Sequence, residues 1–146
     1  MKTRFSFFRR CFGPVVIGVT AWLMFRYILF IGYVPTASME PTIPAGTFIL
    51  GSRMYGDLDR GDIIIFQKDG SALVKRIFAL GGDAIYVSQD HEVSLDSQSF
   101  APASTLVVPD GCVFVLGDNP QASHDSRQWE DPFLPLDSVC AKLILF

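Results

Sequence analysis

Ser38 and Lys75 are the two residues on which covalent chemistry could turn. Ser38 lies in "VPTASMEPTIPAG" (34–46), between Pro35 and Pro41 and just past a long apolar run. A serine hydroxyl is a poor nucleophile until a neighbouring base takes its proton. Three side chains could serve. His91 falls in a polar turn region and His124 in the polar loop "QASHDSR". A Ser38–His124–Asp arrangement is chemically possible, but nothing in the spacing favours it over a surface histidine. Lys75 differs in kind. A free lysine, with a pKa near 10.4, is no base at neutral pH, and desolvation on an apolar face is what lowers it.

The local pattern gives Lys75 that setting. In "GDIIIFQKDGSALVKRIFALGGD", Asp69-Gly70 is the dipeptide of a two-residue hairpin turn whose central positions need positive φ. A hairpin centred there pairs Lys75 with Ile64, with Asp62 and Phe66 diagonal. Alternation puts Lys75 on the face of Leu73, Ile77 and Ala79, and Arg76 on the other, with Val74 and Phe78. A lysine snorkelling from a strand edge fits the same pattern, and the two readings stay open on pattern alone.

The elements around these residues are short apolar runs separated by Gly, Pro and Asp, the mark of an all-β domain. "IPAG" (43–46) suits a type I turn and "TFILGSRM" a strand. "AIYVSQD", "HEVSLDS", "STLVVPDG", "GCVFVLGDN" and "DSVCAKLILF" read as further strands, the last one closing the fold. With 146 residues, 49% of them apolar, the chain can bury a core. Cys11, Cys112 and Cys140 have no metal-type spacing and make no disulfide framework. Cys112 and Cys140 read as buried thiols, with a pair between them open.

Charge is uneven. Residues 1–34 carry five basic side chains (Lys2, Arg4, Arg9, Arg10, Arg26) and no acidic one; the remainder carries seven basic and fifteen acidic. A basic head on an acidic body argues against nucleic-acid binding. Residues 11–34 form a 24-residue apolar run with one charge, Arg26, where a spanning helix needs about 20 residues. The flanking arginines place residues 1–10 in the cytoplasm, a transmembrane anchor at 11–34 and an extracytoplasmic β domain at 35–146. Arg26, roughly 12 Å from the end of the run, would snorkel to the interface, where Tyr27 and Tyr33 also belong. A cleavable secretory signal over 11–25 is the competing reading; Pro35, at the −3 place for cleavage after Ala37, disfavours it.

"SMEPTI", "GDIIIF", "LVKRIFALGGD" and "VLGDNPQASHDSRQW" follow the anchor in that order. Together they resemble bacterial type I signal peptidases, membrane-bound proteases with a Ser-Lys dyad, over about residues 11–83 and 110–146. The resemblance implies a mainly β fold: one N-terminal membrane helix followed by a compact antiparallel β catalytic domain, minimal where larger members carry an extra β domain. It implies Ser38 as nucleophile and Lys75 as general base. The Ser38 N–H and the Thr36 hydroxyl would form the oxyanion hole, and Ser123 would position the lysine. Asp125–Arg127 and Asp118–Arg76 would be structural ion pairs. Val34, Met39, Ile43 and Val74 would line shallow pockets for an Ala-X-Ala cleavage site, although Met39 and Ile43 suit a core equally well. Lysine in place of histidine points to the bacterial or mitochondrial type. Pro120, Gln121, Ala122 and Gly81 depart from the family's usual residues, which leaves their loop contacts open.

The implied protein is a monomeric endopeptidase of the cell membrane that meets signal peptides of preproteins and membrane lipid, with no nucleic acid, metal or cofactor. Two other readings remain. One is a Ser-Lys protease specialised for a single pilin or conjugation substrate. The other is an anchored β domain with a binding role. Self-cleaving SOS-type repressors also use Ser-Lys, but a basic head with an apolar run and no DNA-binding domain sets them aside.

Overall fold

The computed structural model describes residues 3–90, 92–99 and 102–146; His91 and Lys2 lie outside them. A helix, α1 (Thr3–Leu23), runs into a π-helical segment, Met24–Ile28. Ten strands follow: β1 (Leu29–Val34), β2 (Thr47–Ser52), β3 (Ile63–Lys68), β4 (Ser71–Leu80), β5 (Ala84–Val87), β6 (Val93–Ser94), β7 (Ser104–Val107), β8 (Cys112–Leu116), β9 (Leu134–Pro135) and β10 (Val139–Leu145). They form a seven-stranded sheet in the order β1-β2-β10-β3-β4-β8-β9 and a small sheet in the order β6-β5-β7. All pairings are antiparallel.

β3 explains the run "IIIF". It is an inner strand, covered on both faces, so both sets of alternating side chains are buried. Ile63 and Ile65 join Val34, Met39, Ile43, Ile49 and Ala141 in one core cluster. Ile64 and Phe66 join Ile77, Val113, Val115, Leu134 and Val139 in another. The β3–β4 hairpin turns at Asp69 and Gly70, at φ 51° and 76°, and the register sets Ile64 opposite Lys75. A third cluster, with Ala79, Ile85, Val108 and Phe114, joins the small sheet to the large one.

Three expectations are corrected. The run 11–34 is not one helix: its last six residues are β1, paired residue for residue with β2 from Leu29–Ser52 to Val34–Thr47. Alternation explains the change, since Val34 is buried and Phe30 packs on the core while Ile31 and Tyr33 face outward. The β domain therefore starts before residue 35, and no described helix is long and apolar enough to cross a membrane. The turn after Ile43 is shifted by one: Thr47 N–H bonds the Pro44 carbonyl at 3.3 Å. Gly46, at φ 87°, takes the third position, which is the type II pattern. Cys112 and Cys140 are free thiols, as the first of their two readings had them, but they are half-buried and not buried.

Candidate active site

Ser38 sits in a single 3₁₀ turn, Ala37–Met39, directly after β1. The turn is fastened from below. Met39 and Ile43 are fully buried, and Ile43 N–H bonds the Met39 carbonyl at 2.8 Å. Gly46 N–H bonds the Val34 carbonyl at 2.7 Å. From the other side, Asn119 N–H bonds the Ser38 carbonyl at 3.1 Å. The serine is thereby held by its backbone, and its hydroxyl is left for other work.

That hydroxyl meets Lys75. Lys75 is 3% exposed, and its Nζ lies 2.7 Å from Ser38 Oγ, its one hydrogen bond to a described residue. Among the described residues no carboxylate pairs with it. Burial pushes its pKa down; Asp125 and Asp118 pull it up more weakly, and Arg127 adds to the depression. The next residue is treated in the opposite way. Arg76 Nε and Nη2 hold the two oxygens of Asp118 at 2.8 and 2.6 Å, and Nη1 reaches the Gly61 carbonyl. Its pKa is raised, first by the bond to Asp118.

The loop 117–127 closes the site from behind. Asp125 is fully buried and takes Arg127 Nε and Nη2 at 2.8 and 2.7 Å. It also accepts from Ser123 Oγ at 2.6 Å and from Gly117 N–H at 2.8 Å. Burial alone would raise this carboxyl, but the bonds from Arg127, Ser123 and Gly117 hold it below the usual range. Ser123 thus spends its proton on Asp125 and makes no hydrogen bond to Lys75. It stands buried behind the site instead. The Thr36 hydroxyl turns toward Ser38 Oγ, at 3.4 Å.

Gly117 escaped the sequence reading. A Cβ there would overlap Ser123 Oγ and the Ser38 carbonyl, so only glycine lets the loop pack against the serine turn. The available signal was a glycine directly after the buried strand "CVFVL". Asn119 acts through its backbone and left none.

Dyad and Thr36 open onto a groove of about 240 Å³. Tyr33, Val34 and Pro35 form one wall, Ala72, Leu73 and Val74 the other, and Ala122 and His124 cap it. Val34 and Val74 therefore face the groove. Met39 and Ile43 do not: with no exposed surface, they are core residues beneath the serine turn, which corrects their assignment as substrate-binding. His124 lines the groove but makes no side-chain hydrogen bond to a described residue. Among the described residues no group of His, Cys, Asp or Glu is arranged to hold a metal.

Comparison with known proteins places this geometry. The model for "Signal peptidase, peptidase S26" matches residues 8–101 and 90–146. A signal peptidase I of Bacillus licheniformis is 32% identical, over 77% of this chain and 74% of that protein. A probable signal peptidase I-2 of Synechocystis is 32% identical, over 75% of this chain and 59% of its own length. A mitochondrial ATP-independent inner membrane protease subunit 1b of Arabidopsis thaliana is 36% identical, over 71% and 62%. The chain spans 56%, 59% and 62% of the length of three of these curated relatives, including the signal peptidase I of Pseudomonas fluorescens. A family match that runs across nearly all of the sequence is decisive: the chain belongs to the signal peptidases of peptidase family S26.

Proposed function

We propose that the protein is a serine endopeptidase that removes signal peptides from exported preproteins through Ser38 and Lys75. One observation carries the reading: a buried, unpaired lysine amine 2.7 Å from a serine hydroxyl at the floor of an open groove. With its pKa lowered by burial, Lys75 Nζ loses its proton more readily than a free lysine and, once neutral, accepts the Ser38 proton. Ser38 Oγ attacks the scissile carbonyl. The tetrahedral adduct collapses as Lys75 returns the proton to the leaving amine, giving an acyl-enzyme and the mature chain. Lys75 then takes a proton from water, which attacks the ester and frees Ser38.

The Ser38 N–H lies in the first turn of a 3₁₀ segment, where amides lack partners within the helix. It is well placed to receive the oxyanion, with the Thr36 hydroxyl as a second donor once substrate turns it away from Ser38 Oγ. Losing one such donor costs about 10²–10³ in rate. Ser123, Asp125 and Arg127 hold the loop behind the lysine, and Asp118 fixes Arg76 on the strand that carries it.

The groove favours an extended chain. Four antiparallel steps separate β1 from β4, so the two run in the same direction, both toward the dyad. β8 pairs with β4 only from Arg76 onward, which leaves Ser71–Lys75 an open edge. A substrate strand would lie between these edges, with small side chains toward Val34 and Val74.

Membrane attachment belongs to the same reading. Phe12, Val15, Ile17 and Trp22 of α1 are exposed. Ile31, Tyr33, Phe48 and Leu145, on the outer face of β1, β2 and β10, each keep more than half of their surface open. Arg26 is stacked over Tyr27, 5.4 Å from the ring centre, which suits an interfacial position. The N-terminal segment would hold the site at the membrane surface in a single-pass topology, N-terminus inside.

The test is cleavage of a preprotein with an Ala-X-Ala site by the full chain in lipid, beside Ser38→Ala and Lys75→Ala. Cleavage by wild type alone is expected. A Lys75→Ala protein with full activity would end the dyad reading, and a panel of signal peptides separates a general enzyme from one devoted to a single substrate.

A further inference from the structure

Among the described residues, His124 is the one that lines both the catalytic groove and a second cavity. Ser123 and Asp125 on either side of it are buried while His124 is exposed, so its imidazole points away from the ion-pair network and forms the partition. The second cavity, about 470 Å³, reaches from His124 back to the β3–β4 turn and is lined also by Lys68, Asp69, Glu130 and Asp131. Its floor is Trp129, packed edge-on against Phe66 with ring centres 6.0 Å apart. It is therefore anchored to the core. Lys68 Nζ lies 4.4 Å over the same ring, which leaves three carboxylates against one ammonium that already has a partner.

We infer that His124 is a specificity-determining residue: substrate lying in the groove extends over it, and the second cavity selects a basic side chain near the cleavage site. The inference rests on the endopeptidase reading above. The groove is too small to end recognition there, because an extended segment advances about 3.3 Å per residue and soon outruns the few side chains around the dyad. The open edge of β4 continues toward Ser71, and the second cavity flanks the turn from which that edge starts. Lys68 already covers the aromatic floor, so it is the acidic walls, Asp69, Glu130 and Asp131, that suit an ammonium or guanidinium and disfavour a carboxylate.

The experiment uses the full chain in lipid and a preprotein with an Ala-X-Ala site. Single Lys and Glu substitutions are placed in turn at each position flanking the cut, and kcat/KM is measured for each. At one position or a neighbouring pair, Lys is expected to exceed Glu by about three- to tenfold at low salt, and the ratio should shrink near 1 M salt as the charges are screened. Glu130→Gln with Asp131→Asn should bring it toward one, and so should His124→Trp, which blocks the passage with a neutral side chain. A ratio near one at every position, with the parent preprotein still cut, overturns the inference and leaves the endopeptidase reading standing. A Lys preference indifferent to all three substitutions overturns it as well. An uncut parent preprotein removes both.

Discussion

Lys75 and Arg76 are adjacent cations on one strand, and the fold treats them in opposite ways. Arg76 is met by a carboxylate in fork-to-fork geometry and its charge is reinforced. Lys75, on the other face, is 3% exposed and among the described residues is met only by a hydroxyl, so its charge is opposed. Alternation along β4 is the whole separation between them. A buried amine with no anion is destabilising, and such a group persists where neutrality is useful. The guanidinium could not fill that role, since arginine stays protonated in proteins.

Exchanging the two behaviours gives the largest expected effect. Lys75→Arg keeps a cation beside Ser38 but cannot accept its proton. Cleavage should fall by about 10⁴-fold or more, although a nitrogen still reaches the serine. In wild type, kcat/KM should rise with pH along an acidic limb, because the proposed mechanism makes the neutral amine the active form. The limb's midpoint should lie below the ordinary lysine value near 10.4, as the lowered pKa requires. A pH–rate profile of both proteins measures this. A Lys75→Arg enzyme with appreciable activity would show that Ser38 uses another base.

The sequence carried the hairpin well. Asp69-Gly70 alone fixes the register that sets Lys75 against Ile64, because two-residue turns allow no slip. The dyad came from resemblance, because pattern could not tell a buried lysine from one at a strand edge. What stayed hidden was depth. Met39 and Ile43 looked as fit for a pocket as for a core, and only the packing of β1, β2, β3 and β10 shows which side of the serine turn they occupy. The same holds for residues 29–34. An apolar run looks alike to a membrane and to a sheet, and the partner strand that decides it begins thirteen residues after the run ends. Ser123 was reached only through the resemblance, as a positioner of the lysine, and its actual partner was not legible, since a hydroxyl between an amine and a carboxylate can serve either. The tight approach of Gly117 to Ser38 spans too much sequence for any local pattern to reveal.

A smaller effect should follow from giving Arg76 what Lys75 has. Asp118→Ala removes the carboxylate and leaves the guanidinium with the Gly61 carbonyl and Thr42. Arg76 keeps about a third of its side chain in solvent, so water takes over part of the lost interaction. The expected loss is about 2 kcal/mol in urea unfolding, well short of the cost of stranding a fully buried charge. Asp118 also lifts the Lys75 pKa, so its removal should move the acidic limb of cleavage to lower pH. A limb that stays in place would mean that the two faces of β4 are electrically independent.

The smallest expected change is a gain. Lys75→Met keeps the unbranched shape and removes the amine, so it should stabilise the fold by about 1 kcal/mol while abolishing cleavage. The pH dependence identifies the cause. The folded lysine has the lower pKa, so between the folded and unfolded values the unfolded chain holds a proton that the folded chain has released. The penalty from Lys75 is complete below the folded pKa. It fades as pH rises through that value and is gone above the unfolded one, near 10.4. The advantage of Lys75→Met should therefore be greatest on the acidic side of the cleavage limb and disappear toward pH 10.5. A constant advantage across that range would trace it to packing alone, and the contrast with Arg76 would then lie in shape and not in charge.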